Sequence, residues 1–317
     1  MKAVVTGGAG FIGSHLVDRL LEEGYSVSVV DNMLCGCLEN LKHHSGNPRL
    51  MVHKVDIKDA AQLDRIFAGH DVVFHLAAQA NIRKSLVDHR SDLENNLIGT
   101  LNILEAMHKN KIQDLVFAST SAVYGEATVR PTSEDYFPIQ TSLYGASKLA
   151  CEAYAAAFTE FSPIRFWAFR FANVVGERCR RGVIWDFVHK LLKNPFELEI
   201  LGDGKQSKEY LYVKDCVDGM MVEYRMASGR VNIFNLGMEE QTFVDRVADL
   251  VIEEMKLDKD KVKRKYTGGP KGWIGDNPVV ELSLERIKEV GWRPTVSSEE
   301  AIRRTAQWTL EHASKED

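Results

Sequence analysis

Three glycines spaced three residues apart, Gly7, Gly10 and Gly13, stand between an apolar run, Ala3–Thr6, and a helical pattern, Gly13–Leu21, with Leu16, Leu20 and Leu21 on one side. Few short sequences leave the backbone less choice. The first glycine permits a tight turn, the second lets main chain approach a pyrophosphate, and the third lets helix and strand pack closely. The start of such a helix, with the N–H groups of Phe11 and Ile12, offers donors and a partial positive charge to phosphate.

The rhythm continues through the first half. Ser26–Val30, Leu50–Val55, Val72–Leu76, Leu115–Ser119 and Phe166–Phe171 read as strands, and Asp92–Met107 and Leu143–Phe158 as helices. Strands alternating with helices predict parallel pairing through right-handed crossovers. The fold class expected is therefore α/β, a doubly wound parallel sheet of Rossmann type. Ligands bind beyond the carboxyl ends of such strands, so the residues there carry the function. Asp31 ends the second strand, where an acid can accept both ribose hydroxyls and would repel a 2′-phosphate. NAD is therefore favoured over NADP. Asp56 follows the third strand and can accept from the adenine amino group while Ile57 packs on the ring; the same Asp can instead cap a helix before Ala60. Leu76, Ala77 and Ala78 end the fourth strand, leaving room for the middle of the cofactor or serving helix–sheet packing.

After Asn173 the alternation loosens into Val183–Leu192 (helix), Leu198–Leu201, Glu209–Val213 and Ile233–Leu236 (strands), and a helix around Phe243–Met255. Thr267–Pro278 is rich in Gly and Pro and reads as a loop. A first domain over 1–173 and a smaller α/β lobe over 174–317, partly interleaved with it, are expected. A chain of 317 residues with 44% hydrophobic and 27% charged residues can build both. Its formal charge of −5 gives no electrostatic footprint for nucleic acid. No apolar run reaches the roughly 18 residues of a membrane span. The chain opens into Lys2-Ala3-Val4-Val5 without a signal segment, and five cysteines, an odd number, suggest reduced thiols; a cytoplasmic location is expected. Cys35 and Cys37 lie close together, but no second Cys or His pair has matching spacing, so no metal is expected.

Tyr144 and Lys148 fall four apart, on one face of a helix. Ser119, Thr120 and Ser121 close the strand before it. Together they supply a phenol, a cation and hydroxyls. A phenol titrates near 10, too high for a base at neutral pH. A neighbouring ammonium and a positively charged nicotinamide would favour the phenolate and make a better general base.

These motifs together resemble the extended short-chain dehydrogenase/reductase family, and within it the UDP-glucose/UDP-galactose 4-epimerases. The resemblance runs through Thr6-Gly-Gly-Ala-Gly-Phe-Ile-Gly-Ser14, Asp31-Asn32, Asp56-Ile57, Leu76-Ala-Ala78 and Asn96-Leu-Ile-Gly-Thr100. It continues through Ser119-Thr-Ser-Ala-Val-Tyr-Gly125, Tyr144–Lys148, Arg170-Phe-Ala-Asn173 and Leu201-Gly-Asp-Gly-Lys205. It implies Tyr144 as general base, Lys148 as the group that tunes it and binds the nicotinamide ribose, and Thr120 as hydrogen-bond partner of the sugar's 4-hydroxyl, with Ser121 able to share that role. It implies that Asn32, Asn96, Ser119 and the backbone of Phe171 face the cofactor, and that Asn173 holds the diphosphate of a UDP-sugar in the second lobe. A homodimer through the helices at Asp92–Met107 and Leu143–Phe158 is implied as well.

Dehydratases of this kind carry an Asp-Glu pair directly after the catalytic Thr, and decarboxylases usually a Glu where Ala122 stands. Here the residues are Ser121-Ala122, which leaves return of the hydride at C4 as the expected outcome. Two departures touch the nucleotide. Lys208 stands where an Arg is usual, keeping the charge but losing the bidentate fork. Lys271 is the nearest cation ahead of Gly275-Asp276, where Asp276 would accept uridine ribose hydroxyls. Arg178, Arg180 and Arg181 form a basic cluster that either meets the diphosphate or lies on a solvated loop. Val280 falls near the position that limits space beside the sugar's C2 substituent, so N-acetylated sugars are candidates.

Overall fold

A computed structural model of the chain describes residues 1–313. Strands β1 (Lys2–Thr6), β2 (Ser26–Asp31), β3 (Leu50–Lys54), β4 (Val72–His75), β5 (Asp114–Thr120) and β6 (Arg165–Phe171) are threaded by helices α1 (Phe11–Glu22), α2 (Ala60–Phe67), α3 (Ile82–Ser85), α4 (Gly99–Asn110) and α5 (Leu143–Phe161). Further along come β7 (Asn173–Val175), α6 (Val183–Lys193), β8 (Glu197–Ile200), β9 (Ser207–Lys208), β10 (Tyr210–Tyr212), α7 (Val213–Met226) and β11 (Val231–Leu236). The described chain ends with β12 (Thr242–Phe243), α8 (Val244–Glu254), β13 (Lys263–Tyr266), α9 (Glu285–Glu289) and α10 (Ser298–Ala313).

The main sheet has seven strands in the order β11-β6-β5-β4-β1-β2-β3. The pairs β3–β2, β2–β1, β1–β4 and β4–β5 run parallel. The winding reverses between β1 and β4, the switch point at which doubly wound sheets bind ligands. Both strands are buried almost throughout, which is why they read as unbroken apolar runs rather than alternating ones. On one face Val4, Val73, Leu115 and Phe117 pack with Leu63 and Phe67 of α2, Ile103, Leu104 and Met107 of α4, and Ala155 of α5. Phe74, the neighbour of Val73, meets Tyr224 of α7 edge-on at 5.6 Å, and Trp167 meets the same ring at 5.2 Å. The Tyr224 hydroxyl donates to Asp114 at 2.9 Å.

The chain divides into two compact units. The first is Met1–Gly125 with Phe137–Arg170 and Met220–Phe234; the second is Glu126–Tyr136, Phe171–Gly219 and residues from 235 onward. The first holds most of the main sheet. The second holds three two-stranded ribbons, β10–β7 and β13–β8 parallel and β12–β9 antiparallel, with α6, α8 and α10 packed on one another. No helix of the described residues is long and apolar enough to cross a membrane.

One element departs from the sequence reading. The single helix expected over Asp92–Met107 is a π-helical segment, Leu93–Ile98, followed by α4 from Gly99. Adjacent asparagines draw the backbone out of α geometry: Asn95 Nδ2 donates to the Ser91 carbonyl at 2.7 Å, and Asn96 bonds outside the helix.

The glycine turn is as tight as its spacing implies. Gly7 has φ +70°, and a Cβ there would lie 2.7 Å from the Ala77 nitrogen; a Cβ on Gly13 would lie 2.1 Å from the Gly7 carbonyl oxygen. Backbone cannot yield as a side-chain tip does. Gly13→Ala should therefore lower the unfolding free energy by about 1–3 kcal/mol, measured by equilibrium urea unfolding. Gly10→Ala, whose Cβ meets nothing nearer than 3.1 Å, should cost less. Equal losses from the two would show that the helix and strand are not in this contact.

Candidate active site

The glycine turn is fixed by Gly7 N donating to the Val30 carbonyl at 2.8 Å and Gly10 N to the Gly7 carbonyl at 3.0 Å. Helix α1 then begins at Phe11 with no side-chain cap and no acid in its first turn. Its first N–H groups, at Phe11, Ile12 and Gly13, are thus open to an anion. Asp31, 7% exposed at the end of β2, accepts from Ala9 N at 3.1 Å and Met33 N at 2.9 Å. Burial pushes its carboxyl up, against the pull of those two N–H groups. Gly36 passes close by: a Cβ on it would lie 2.7 Å from either carboxylate oxygen. An uncapped helix start beside a buried acid fits the pyrophosphate and ribose of a dinucleotide, so the residues present suit the cofactor.

Around this cradle some side chains do other work than the sequence suggested. Asn32 Nδ2 donates to Asp56 Oδ2 at 3.0 Å, and Asp56 Oδ1 accepts from Lys58 N at 2.9 Å. The cap of α2 is Asp59, which accepts from Gln62 N at 3.1 Å, so the capping alternative for Asp56 falls. Ile57 packs into the core. Gly99 lacks a side chain and leaves the slot that Ile57 fills; a Cβ there would meet Ile57 Cδ1 at 2.4 Å. Asn96, expected at the cofactor, has its amide engaged within the protein. Oδ1 accepts from Gln79 N at 2.8 Å, while Nδ2 donates to the Gln79 carbonyl at 3.1 Å and to Ser147 Oγ at 2.8 Å. It braces the segment after Leu76, Ala77 and Ala78 against α5. Ala77 N itself donates to Thr6 Oγ1 at 3.3 Å.

Helix α5 starts where Ser142 Oγ accepts from Gly145 N at 3.1 Å. Gly145 is needed there: a Cβ would lie 2.4 Å from the Ala122 carbonyl oxygen. Its absence lets the 3₁₀ turn Ser121–Tyr124 lie against the first turn of α5, with the Ala122 carbonyl beside Gly145. Thr120 Oγ1 accepts from Ala122 N at 3.1 Å, so its own proton is left to donate to a ligand. Tyr144 is half-buried. Lys148, one turn on along the same face, is 2% exposed, with Nζ 3.9 Å from the centre of the Phe117 ring. Burial drives its pKa down to about 8, with Cys151 and Glu152 holding it up.

Sequence reasoning missed what stands behind Lys148. Glu152, a further turn along α5, accepts from Arg170 Nη2 at 2.7 Å and Nε at 3.2 Å. Arg170 Nη1 donates to the Tyr124 hydroxyl at 3.0 Å. Ser119, expected at the cofactor, donates its hydroxyl to Glu152 instead. His75 joins Thr6 Oγ1 at 2.7 Å to Thr100 Oγ1 at 2.9 Å, and Thr100 donates to Cys151 Sγ at 3.3 Å. Burial, then the charge of Lys148, holds His75 well below its usual range, so the ring is neutral. Burial keeps Cys151 a thiol. Two cations and one carboxylate remain, a buried excess of positive charge. The only sequence signal for Glu152 was its i+4 step from Lys148.

The remaining expected residues lie in the second unit. Phe171 is buried at the end of β6. Asn173 opens β7, and its Nδ2 is buried with no hydrogen-bond partner among the described residues. Such a donor costs about 1–3 kcal/mol, which points to a ligand that meets it. Lys208 Nζ lies 2.6 Å from Asp276 Oδ1, and Asp276 Oδ2 accepts from Gly272 N at 3.1 Å. The two groups expected to serve phosphate and ribose are thus paired with each other, because a carboxylate only 3% exposed requires a counter-charge. Lys271 is paired with Glu126 at 2.6 Å at the surface. The Arg180 guanidinium stands 5.8 Å from the Trp308 ring, and the Arg181 carbonyl accepts from Cys179 Sγ at 3.3 Å. Val280 N donates to the Ser207 carbonyl at 3.1 Å. Glu209, also unforeseen, is fully buried; burial pushes its carboxyl up to about 8 although Leu282 N and Met238 N donate to it.

Removing one partner of the buried Glu152–Arg170 pair strands a charge. Glu152→Gln should lose about 3–5 kcal/mol of stability, whereas Glu152→Leu with Arg170→Met should recover most of it. Urea unfolding of both variants checks this, and a loss below about 1 kcal/mol for the single change would mean that the pair is solvated.

Residues 3–237 match the model of the NAD dependent epimerase/dehydratase family. A UDP-N-acetyl-alpha-D-glucosaminuronate decarboxylase of Bacillus cytotoxicus is 31% identical over 330 residues, covering 98% of each chain. Among solved structures, the UDP-glucose 4-epimerase of Thermotoga maritima with UDP-glucose has a TM-score of 0.88 at 35% identity, covering 99% of this chain and 100% of that one. The UDP-glucose 4-epimerase of Thermus thermophilus in complex with NAD has a TM-score of 0.85 at 33% identity, covering 98% and 99%.

Proposed function

The chain belongs to the NAD dependent epimerase/dehydratase family, and from that premise we propose that it inverts C4 of a UDP-hexose, interconverting UDP-glucose and UDP-galactose through a transient 4-keto sugar. Its cofactor is NAD. The observation that carries the reading is Tyr144 one helical turn from a buried ammonium, in a cluster with an excess of positive charge.

The N–H groups of Phe11, Ile12 and Gly13, with the turn at Gly7 and Gly10, hold the cofactor diphosphate. Asp31 takes the adenosine ribose, Asn32 and Asp56 lie toward the adenine, and Leu76, Ala77 and Ala78 line the middle. Lys148 binds the nicotinamide ribose. When bound, NAD supplies the acceptor that removes the C4 hydrogen with its electron pair and returns it to the opposite face. Tyr144, as phenolate, takes the proton of the 4-hydroxyl and later gives it back. Lys148 stabilises the phenolate, and Thr120 donates its remaining proton to the 4-oxygen, with Ser121 beside it. Asn173 donates its unmet amide to the diphosphate of the sugar nucleotide, and Lys208 with Asp276, and Lys271, exchange their present ion pairs for its nucleotide end. The substrate is thus tethered by its nucleotide while the sugar turns.

The residues after Thr120 favour this reaction over its neighbours. Ser121 and Ala122 offer no carboxyl to move a proton at C5 or C6, so the keto sugar has no route forward but reduction. The likeness to 4-epimerases supports the same choice. Leu143, Tyr154 and Phe161 of α5 are apolar and exposed, which supports a homodimer through α4 and α5.

With UDP-galactose, catalytic enzyme and no added reductant, UDP-glucose should be the sole product. A decarboxylated or keto-deoxy product, or a demand for stoichiometric NADH, would overturn the assignment. Tyr144→Phe should lower kcat/KM on the order of 10²-fold or more while NAD stays bound; unchanged turnover would remove the phenol from the mechanism.

The pH profile is set by Lys148. Above about 8 it loses its charge and the phenolate its counter-ion, so kcat/KM should decline with rising pH beyond that point. The stability term has the opposite sign. Between about 8 and 10.5 the unfolded chain holds the proton that the folded chain has released, so this residue's contribution to stability rises with pH. A rate still climbing at about pH 10, near the usual lysine value, would exclude the ammonium from the rate.

A further inference from the structure

Outside the cofactor cradle, one group of side chains converges without any part in the proposed reaction. Asp18 lies on α1; His43 and His44 end the 3₁₀ turn Leu38–His44. Both imidazoles point Nε2 at the same atom, Asp18 Oδ1, each at 2.8 Å. Successive residues of a 3₁₀ turn project about 120° apart. Here they meet nonetheless, with ring centres 4.1 Å apart and planes 43° apart.

That convergence also suits an ion. The three ligand atoms lie within 4.8 Å of one another. A tetrahedral zinc ion with bonds of about 2.0–2.2 Å would hold its ligands roughly 3.3–3.5 Å apart. The two N···O separations need open by only about half an ångström to admit it. Two imidazoles and one carboxylate suit zinc, cobalt, nickel or copper, whereas magnesium and calcium require oxygen shells. The side chains of His44 and Asp18 are 17% and 20% exposed and that of His43 46%, a sheltered pair with one side open to solvent.

We propose that Asp18, His43 and His44 bind one divalent transition-metal ion, which staples the segment after β2 to helix α1. A fourth position is left for water. The segment so held also touches the glycine turn: Cys37 N and Asn40 Nδ2 both donate to the Ala9 carbonyl, at 3.0 and 2.9 Å. The ion would therefore fix the wall beside Asp31 from its outer end. Spacing alone did not reveal the site, because Asp18 precedes the histidines by 25 and 26 residues.

The test uses the full chain without a histidine tag, stripped with chelator and titrated with Co²⁺ alone. One ion should bind per chain, with the visible absorption of tetrahedral cobalt, and be displaced by Zn²⁺. Saturating Zn²⁺ should raise the melting temperature by several degrees, since a ligand of the native state alone stabilises it. His43→Ala, His44→Ala and Asp18→Asn, each checked by circular dichroism for an unchanged fold, should weaken binding at least about tenfold. The double change Cys35→Ser with Cys37→Ser should leave it intact. The proposal is overturned if about a tenfold excess of Co²⁺ fails to bind, if binding survives loss of both imidazoles, or if it survives Asp18→Asn. It is equally overturned if it disappears with the two thiols.

Discussion

A lysine ammonium enclosed by protein is the constraint to which the first unit is fitted. Holding Lys148 at about 8 rather than 10.5 corresponds to about 3 kcal/mol of solvation not replaced. The groups that replace the rest are specific. The Phe117 face lies beneath the ammonium, Glu152 stands one turn further along the same helix, and Arg170 crosses from β6 to hold that carboxylate. With His75 and Cys151 kept neutral by burial, the cluster carries more positive than negative charge. Such a surplus is costly until an anion arrives, and Tyr144 lies one turn before Lys148 on the same helix.

The same cluster is joined to the end of β1, just before the glycine turn, by a line of short contacts. Thr6 stands at the end of β1 and donates to or accepts from His75 on β4, whose other nitrogen meets Thr100, whose hydroxyl meets Cys151 on α5. Gly7 lies against Ala77 without room for a methyl group. Where the strand order reverses, two strands normally diverge and leave a crevice.

The features legible in the sequence and those hidden from it divide by range. The glycine spacing, Asp31 and the Tyr144–Lys148 step are local patterns, and local patterns report backbone conformation and helix faces directly. The main sheet was implied by the alternation of strands and helices. The partners of Asn96 were hidden because Gln79 and Ser147 are 17 and 51 residues away. The slot that receives Ile57 was hidden because it is an absence, the missing side chain of Gly99. The pairing of Lys208 with Asp276 spans 68 residues. Even the helix expected over Asp92–Met107 changed character where two asparagines competed with the backbone for their own hydrogen bonds. In each case the chemistry of the residue was legible while its partner was set by topology.

On the proposed reading, a scaffold of this kind serves several reactions because the first step is common to them. Removing the proton from the 4-hydroxyl needs only Tyr144, Lys148 and Thr120, all fixed by α5 and the end of β5. The fate of the keto sugar then depends on whether a second acid or base reaches C5 or C6. Gly145 lets the turn Ser121–Tyr124 lie hard against α5, and on the same reading the two residues after Thr120 are the ones that would meet the sugar. In this chain they are a hydroxyl and a methyl group. A hydroxyl can hydrogen-bond the keto sugar but cannot carry its C5 proton at neutral pH, so the intermediate is stable against elimination for as long as it remains enclosed. Inversion then needs no further catalytic group, only freedom of the sugar to turn about an anchored diphosphate.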